Sequence, residues 1–291
     1  MANVISLSKN YTTVLDKVYK LASLTGDLTT TDGLIKQGNK VNEILIPKIS
    51  MQGMADYSRN SGYTRGDVTL DWETVKFNYD RGRLFSVDYL DNEETAELAF
   101  GALGAEFMRT RVAPEADAFT FAQIASTPNI SKVGAGATLA DGSEVLEALI
   151  VATTKMDEDE VPQEGRILYI TPTLRNSIMA LDTYKSKEVL GTFSKIVVVP
   201  QTRFYTAIDL KTGGASEEIG GYTKAAEGKD INFMIIHKPA IIKWDKHIAS
   251  DIITPSANQT ADAYIQKYRK YGIVDVYENK VSGIYLHHKA E

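Results

Sequence analysis

Four histidines, His237, His247, His287 and His288, are the side chains best suited to bind a metal or move a proton near neutral pH. None has the i, i+4 spacing of a zinc-binding helix or the acid that accompanies it. The terminal pair, His287 and His288, reads as exposed. The acidic run Asp157–Glu160 lacks the ligand spacing of a calcium loop and reads as a solvated helix end. "GAGATLADG" (Gly134–Gly142) has the glycines of a phosphate-cradling loop, but no lysine in the required place and no buried strand before it. It reads as a connector. Tyr264, Tyr268, Tyr271 and Tyr277, interleaved with Lys267, Arg269 and Lys270, could stack bases on a charged sheet. A half-exposed packing strand accounts for them better. There is no Gly-x-Ser-x-Gly elbow, and the absence of cysteine excludes disulfides, thiol catalysis and thiolate metal sites. These residues predict no catalytic, cofactor-binding or metal site, and no cofactor.

The elements that would have to position a site are ordinary in bulk. The chain has 291 residues, 43% of them hydrophobic and 24% charged, enough for one large domain or two modest ones. Its net charge is −6, and its lysines and arginines are scattered rather than clustered. That argues against a dedicated binder of nucleic acid or anionic membrane. No apolar run approaches the ~18 residues of a membrane span, and "MANVISLSKNY" does not read as a signal peptide. The expectation is a soluble protein made in a reducing compartment.

Residues 1–41 are rich in Ser, Thr, Asp and Gly and read as an arm that gains order by lying on something else, with a helical turn near Val14–Leu21. Strands follow. Ile44 and Ile46 alternate, then Ile49 and Met51 alternate in the opposite phase; Val68, Leu70 and Trp72 alternate, then Val75, Phe77 and Tyr79 in the other phase. A hairpin with Met51 opposite Trp72, Ile46 opposite Phe77 and Ile44 opposite Tyr79 brings the two slips level and predicts a twist or bulge there. Such a ribbon reaches ~50–60 Å at ~3.3 Å per residue and is marginal alone in water. Its apolar residues therefore need a second surface, expected to be another copy of the chain. The predicted interface is Tyr57, Arg59, Tyr63, Arg65, Trp72, Val75, Phe77 and Tyr79.

A long helix comes next, with Asp91 and Glu94 at capping-box spacing and Phe100, Leu103, Phe107 and Met108 on one face. Gly101, Ala102, Gly104 and Ala105 would let another backbone approach. Pro114 interrupts it and removes the donor for the Thr110 carbonyl, at a cost of ~3 kcal/mol in a regular helix. Either two helices meet there or one helix bends. Beyond Asp141, a helix after "DGS" precedes three continuous apolar strands, "RILYIT", "KIVVVP" and "INFMII", of the kind covered on both faces. The segment Ala261–Tyr277 reads as a long strand.

Taken in order, "VAPEADAFTFAQIAS", "GRILYITPTLRNSI", "KIVVVPQTRFYTA" and "FMIIHKPAIIKWDKH…YRKYGIVDVYENKVSGIYLHH" resemble the major capsid proteins of tailed phages, with the Hong Kong 97-type fold. The resemblance covers essentially the whole chain. It implies an α+β fold with an N-terminal arm (1–41), an extended β-hairpin loop (42–83), a peripheral domain with a long spine helix (84–140 and 245–277), and an α/β axial domain (141–244 and 278–291). Pro114 then becomes the bend of a spine helix that follows shell curvature. It implies self-assembly into pentamers and hexamers of an icosahedral head enclosing double-stranded DNA, without sequence-specific binding and without a membrane. A separate scaffolding protein and a portal are expected partners, with synthesis in the bacterial host cytoplasm and residence in the virion. Lys48 and Lys76 lie in the ribbon, but nothing identifies a partner for the covalent cross-link that some members form. Two other readings compete: an encapsulin-like compartment with protein cargo, and an α/β ligand-binding enzyme, which accounts only for Asp141–Trp244.

Overall fold

In the computed structural model, residues 22–30, 36–37, 43–94, 103–214 and 216–290 are described. The helical turn expected near Val14–Leu21, and Phe100, Gly101 and Ala102 of the expected helix face, lie outside them.

Three strands, β1 (Lys36–Gln37), β2 (Glu43–Met51) and β3 (Val68–Lys76), form an antiparallel ribbon in that order. The β2–β3 ladder runs continuously from Glu43↔Lys76 to Met51↔Val68, which corrects the expected register. Trp72 lies opposite Pro47, and Val75 opposite Ile44. No bulge interrupts these pairs. The change of phase instead moves the apolar residues from one face to the other, because opposed residues in an antiparallel pair share a face. Near the root, Ile44, Ile46 and Val75 occupy one face. Toward the tip, Pro47, Ile49, Met51, Val68, Leu70 and Trp72 occupy the opposite one. Each strand has nine residues, so the paired part spans only ~30 Å at ~3.3 Å per residue.

The ribbon ends where Asn78 inserts its amide beside another strand. Its Nδ2 donates to the Val274 carbonyl (2.8 Å) and its Oδ1 accepts from the Val274 N–H (3.1 Å). The chain then enters β4 (Tyr79–Asp88), so residues 79–83 of the expected extended loop belong to a different sheet. The helix α1 (Tyr89–Glu94) begins with Asp88 Oδ1 accepting from the Leu90 N–H at 2.9 Å, so Asp88 takes the capping place expected of Asp91.

The helical run around Pro114 consists of α2 (Leu103–Phe107), a π-helical turn (Met108–Val112) and α3 (Ala113–Ser126). Phe107, Val112 and Ala113 all keep right-handed helical backbone angles, so one helix continues through. The Ala113 N–H reaches the Met108 carbonyl five residues back. This wide turn lies immediately before Pro114, which is buried at the start of α3, where a missing N–H costs little. Thr110 Oγ1 donates to the Glu106 carbonyl at 2.7 Å, giving that group a side-chain partner within the distorted turn. At Gly104 a side chain rather than a backbone approaches the helix. A Cβ there would meet the terminal amide of Gln266, which would have to turn aside.

Beyond β5 (Ser131–Lys132), α4 (Gly142–Glu158) is capped by Asp141 Oδ1, which accepts from the N–H groups of Ser143 and Glu144 at 2.8 and 3.0 Å. The remaining elements are β6 (Arg166–Ile170), α5 (Pro172–Leu181), α6 (Tyr184–Gly191), β7 (Lys195–Val198), the hairpin of β8 (Ile208–Leu210) and β9 (Tyr222–Lys224), β10 (Ile231–His237), β11 (Ile241–Ile253), β12 (Ala263–Val276) and β13 (Ile284–His288). A five-stranded sheet has the order β5-β13-β10-β6-β7. Leu168, Ile170, Phe233 and Ile235 pack against Val145, Leu149 and Ile178 on one side. Ile167, Tyr169, Met234 and Ile236 pack against Phe121 and Ile124 of α3 on the other. Coverage on both faces explains the unbroken apolar runs. A second sheet, β11-β12-β4, contains the tyrosine-rich segment as the strand that its alternation predicts. Phe107 of α2 meets Phe85 and Tyr268 of this sheet edge-on.

Candidate assembly surface

The two faces of the ribbon have different fates. At the root, Ile44, Ile46 and Val75 are buried with Ile242 and Ile273, and Phe77 and Trp244 pack against that cluster. Phe77 also stacks on Tyr271, with ring centroids 4.7 Å apart. Val75 is only 6% exposed, and so is Tyr79, whose ring meets Phe119 at 4.8 Å and whose hydroxyl donates to Glu115 Oε1. Burial raises the Tyr79 pKa, and the neighbouring Glu115 charge adds to the shift. Three of the eight predicted interface residues, Val75, Phe77 and Tyr79, thus pack within their own subunit. The reason is the chain's departure into β4, which draws the ribbon root onto the body.

The distal face has no such cover. Trp72 is 46% exposed, and Ile49, Met51, Val68 and Leu70 of the same face are more exposed still. Beyond them Tyr63 is 88% exposed and meets Tyr57 edge-on at 4.8 Å. A bridge between Ser58 and Gly62 closes that turn, with Gly62 at positive φ. Arg59 and Arg65 are exposed beside the two tyrosines. The distal ribbon face and the tip thus expose large apolar, aromatic and guanidinium groups, the composition favoured at protein interfaces.

A second constellation, which the sequence reading missed, fixes the chain leading into the ribbon. Asp117 on α3 is fully buried and accepts hydrogen bonds from Ser23 Oγ (2.9 Å), the Leu24 N–H (2.9 Å), Thr25 Oγ1 (2.8 Å) and Arg203 (2.9 Å). Lys243 of β11 donates to the Thr25 carbonyl and hydroxyl at 2.9 and 2.6 Å. Burial lowers the Lys243 pKa to about 8, with Lys270 adding to the shift. Leu28 is buried in the main core, and Thr30 pairs with the backbone of Lys243. Residues 22–30 are therefore clasped to α3 and β11.

Several of the residues first considered for chemistry have packing or pairing roles. His287 and His288 are buried in β13, contrary to the expected exposure, because the strand carries them into the five-stranded sheet. His287 stacks on Phe233 and takes a hydrogen bond from Asn232 Nδ2 at 3.0 Å. Burial lowers its pKa to about 4, with the His288 charge adding to the shift. In the acidic run, Asp157 pairs with the buried Arg166 at 2.6 Å. Gly134–Gly142 contains the cap of α4 and Gly136 at positive φ, against which His288 packs. Among the described residues, no group of three His, Cys, Asp or Glu side chains is arranged to hold a metal ion, and no helix is long and apolar enough to cross a membrane.

No protein-family model and no curated protein matches the chain. Solved structures do. The mature capsid of bacteriophage PhiM1 aligns with a TM-score of 0.66 at 13% identity, covering 97% of this chain and 91% of that one. The capsid of cyanophage P-SCSP1u aligns at 0.63 and 13% identity, over 98% and 93%. A virus-like particle from Pyrococcus furiosus aligns at 0.50 and 10% identity, over 82% and 86%. The chain has the mixed α+β fold of these phage capsid structures.

Proposed function

We propose that this chain is the major capsid protein of a tailed phage, assembling with copies of itself into pentamers and hexamers of an icosahedral head. The observation that carries the reading is the end-to-end likeness to phage capsid subunits, which spans 97–98% of this chain. The unburied distal face of the ribbon supports it, since a neighbouring copy in a shell would cover that strip. The subunit contact consists of Trp72 and its apolar neighbours, with Tyr57, Arg59, Tyr63 and Arg65 at the tip. Pro114 and the turn before it give the spine helix its bend. In this reading residues 1–41 form the arm, 84–140 and 245–277 the peripheral domain, and 141–244 and 278–291 the axial domain; the extended loop ends near Asn78. The head encloses double-stranded DNA without sequence-specific binding, in keeping with the net charge of −6. A scaffolding protein and a portal are its assembly partners. The subunit has no catalytic role; it is made in the bacterial cytoplasm and resides in the virion.

A second reading is an encapsulin-like cellular compartment with protein cargo, which would use the same fold. Expression alone and together with the products of neighbouring genes, followed by negative-stain microscopy, tests both. Closed shells with nuclease-protected DNA and a portal ring support the phage head, and shells loaded with one protein support the compartment. Failure to form shells under every combination rejects both.

A further inference from the structure

The segment between β8 and β9, residues 211–221, reaches β4 and is held there by two arginines. Arg83 Nη2 donates to the Glu218 carbonyl at 2.7 Å, and Arg81 Nη2 donates to the Gly221 carbonyl at 3.3 Å. The Arg83 guanidinium lies beside Gly213 and Gly220, both at positive φ, where a side chain is disfavoured. The segment is also closed on itself. Glu217 Oε2 accepts from the Thr212 N–H and hydroxyl at 2.8 and 3.0 Å, and the Lys211 N–H donates to the Gly221 carbonyl at 2.9 Å. It is thus a preformed unit resting on the sheet, and it carries Ile219, 83% exposed.

Arg81 has a second task. Its Nε donates to Glu115 Oε1 of α3 at 2.6 Å, and the same Nη2 that reaches Gly221 donates to Glu115 Oε2 at 3.3 Å. One nitrogen therefore bridges a helix carboxylate and a loop carbonyl. Glu115 is buried, and the Tyr79 hydroxyl donates to its Oε1 at 3.3 Å, so the carboxylate is fixed on the helix side. The guanidinium is planar, and its donors cannot be re-aimed separately. Moving Glu115 therefore turns the donor that holds Gly221. Glu115 directly follows Pro114, so a change in the wide turn before the proline would be felt first there.

We propose that Glu115, Arg81 and Gly221 couple α3 to the 211–221 segment, so that the seating of the helix on the sheet sets how firmly this surface segment and its Ile219 are held. Arg81 is the positioning residue. Arg83, two residues along β4, is the independent anchor. The coupling lies within one subunit, so its test does not depend on assembly into shells.

Amide hydrogen exchange of the full-length chain reads the coupling at Thr212, Glu217 and Gly220, whose N–H groups are all bonded within the segment. Amides of β10 report any general loosening. Arg83→Gln should speed exchange in the segment about tenfold, the low end for losing a hydrogen bond to a charged group. Glu115→Gln should speed it about threefold or more, the low end for residues coupled in one network, and should add nothing in an Arg81→Met background. Arg81→Lys keeps a cation beside Glu115 but loses the planar fork, so it should speed exchange in the segment with β10 at the parent rate. That variant decides the matter if Glu115→Gln loosens β10. Parent-level exchange in the segment of Arg83→Gln or Arg81→Lys would overturn the proposal. So would an effect of Glu115→Gln that is absent with β10 intact, or equally large with and without Arg81.

Discussion

Arg203 Nη1 stands 2.9 Å from Asp117 Oδ2, with side-chain exposures of 3% and 0%. The same carboxylate holds Ser23, Leu24 and Thr25, so one buried charge joins the end of the arm, α3 and the turn that follows β7. Removing it takes the carboxylate from the buried Arg203 guanidinium, a change that typically costs about 3–5 kcal/mol. Asp117→Ala should therefore lower the unfolding free energy from urea melts by that amount and speed amide exchange at Leu24 and Thr25. Protection of those two amides at the parent level would show that the clasp does not depend on Asp117.

Lys243 gives the clasp a dependence on alkaline pH. Its pKa falls from 10.5 to about 8, chiefly through burial, so the folded form releases a proton that the unfolded form keeps between those values. Stability contributed by a lowered pKa is present at the high end and lost as pH falls through the folded value. Relative to Lys243→Met, the parent should gain stability from about pH 8 to about pH 10.5, roughly 3 kcal/mol at ~1.36 kcal/mol per unit. Urea melts of both proteins across that range measure the difference, and parallel curves would count against the shift.

The two ends of the ribbon should respond oppositely to substitution. Ile44→Ala removes a buried side chain and should cost the subunit about 2–5 kcal/mol in a chemical melt. Leu70→Glu, on the exposed distal face, should leave the melt within about 0.5 kcal/mol of the parent yet abolish shells in sedimentation and microscopy. Normal shells from Leu70→Glu would remove the distal strip from the interface.

Pro114→Ala tests whether the wide turn already accommodates the ring. The helix is held on either side of the turn, at Gly104 against Gln266 and at Asp117 against Arg203, so its register should persist. The expected gain in stability is within about 1 kcal/mol, well short of the ~3 kcal/mol for a proline in a regular helix. A gain near the larger figure would mean that Pro114 is strained in place.

What could be read from the residues follows their periodicity. Arg166–Ile170 and Ile231–His237 were legible as doubly covered strands because an unbroken apolar run has few other uses. The ribbon's faces were legible, but its register was not, since sliding β3 by an even number of residues leaves every side chain on the same face. His287 and His288 misled because their polarity near the chain end outweighed the apolar strand they extend. The clasp was hidden for a different reason. Asp117 meets partners 92 and 86 positions away, and an aspartate inside "EADAFTF" was its one local sign.

The clasp also fixes an order of events during synthesis. Thr25 leaves the ribosome early, but Lys243 follows 218 residues later. At roughly 10 residues per second, the arm's end waits on the order of 20 s for its last partner. Through that interval Asp117, made 92 residues after Thr25, and then Arg203 hold the segment while the β11 half of the clasp is still missing. The clasp therefore closes from α3 outward, with Lys243 of β11 as its last member.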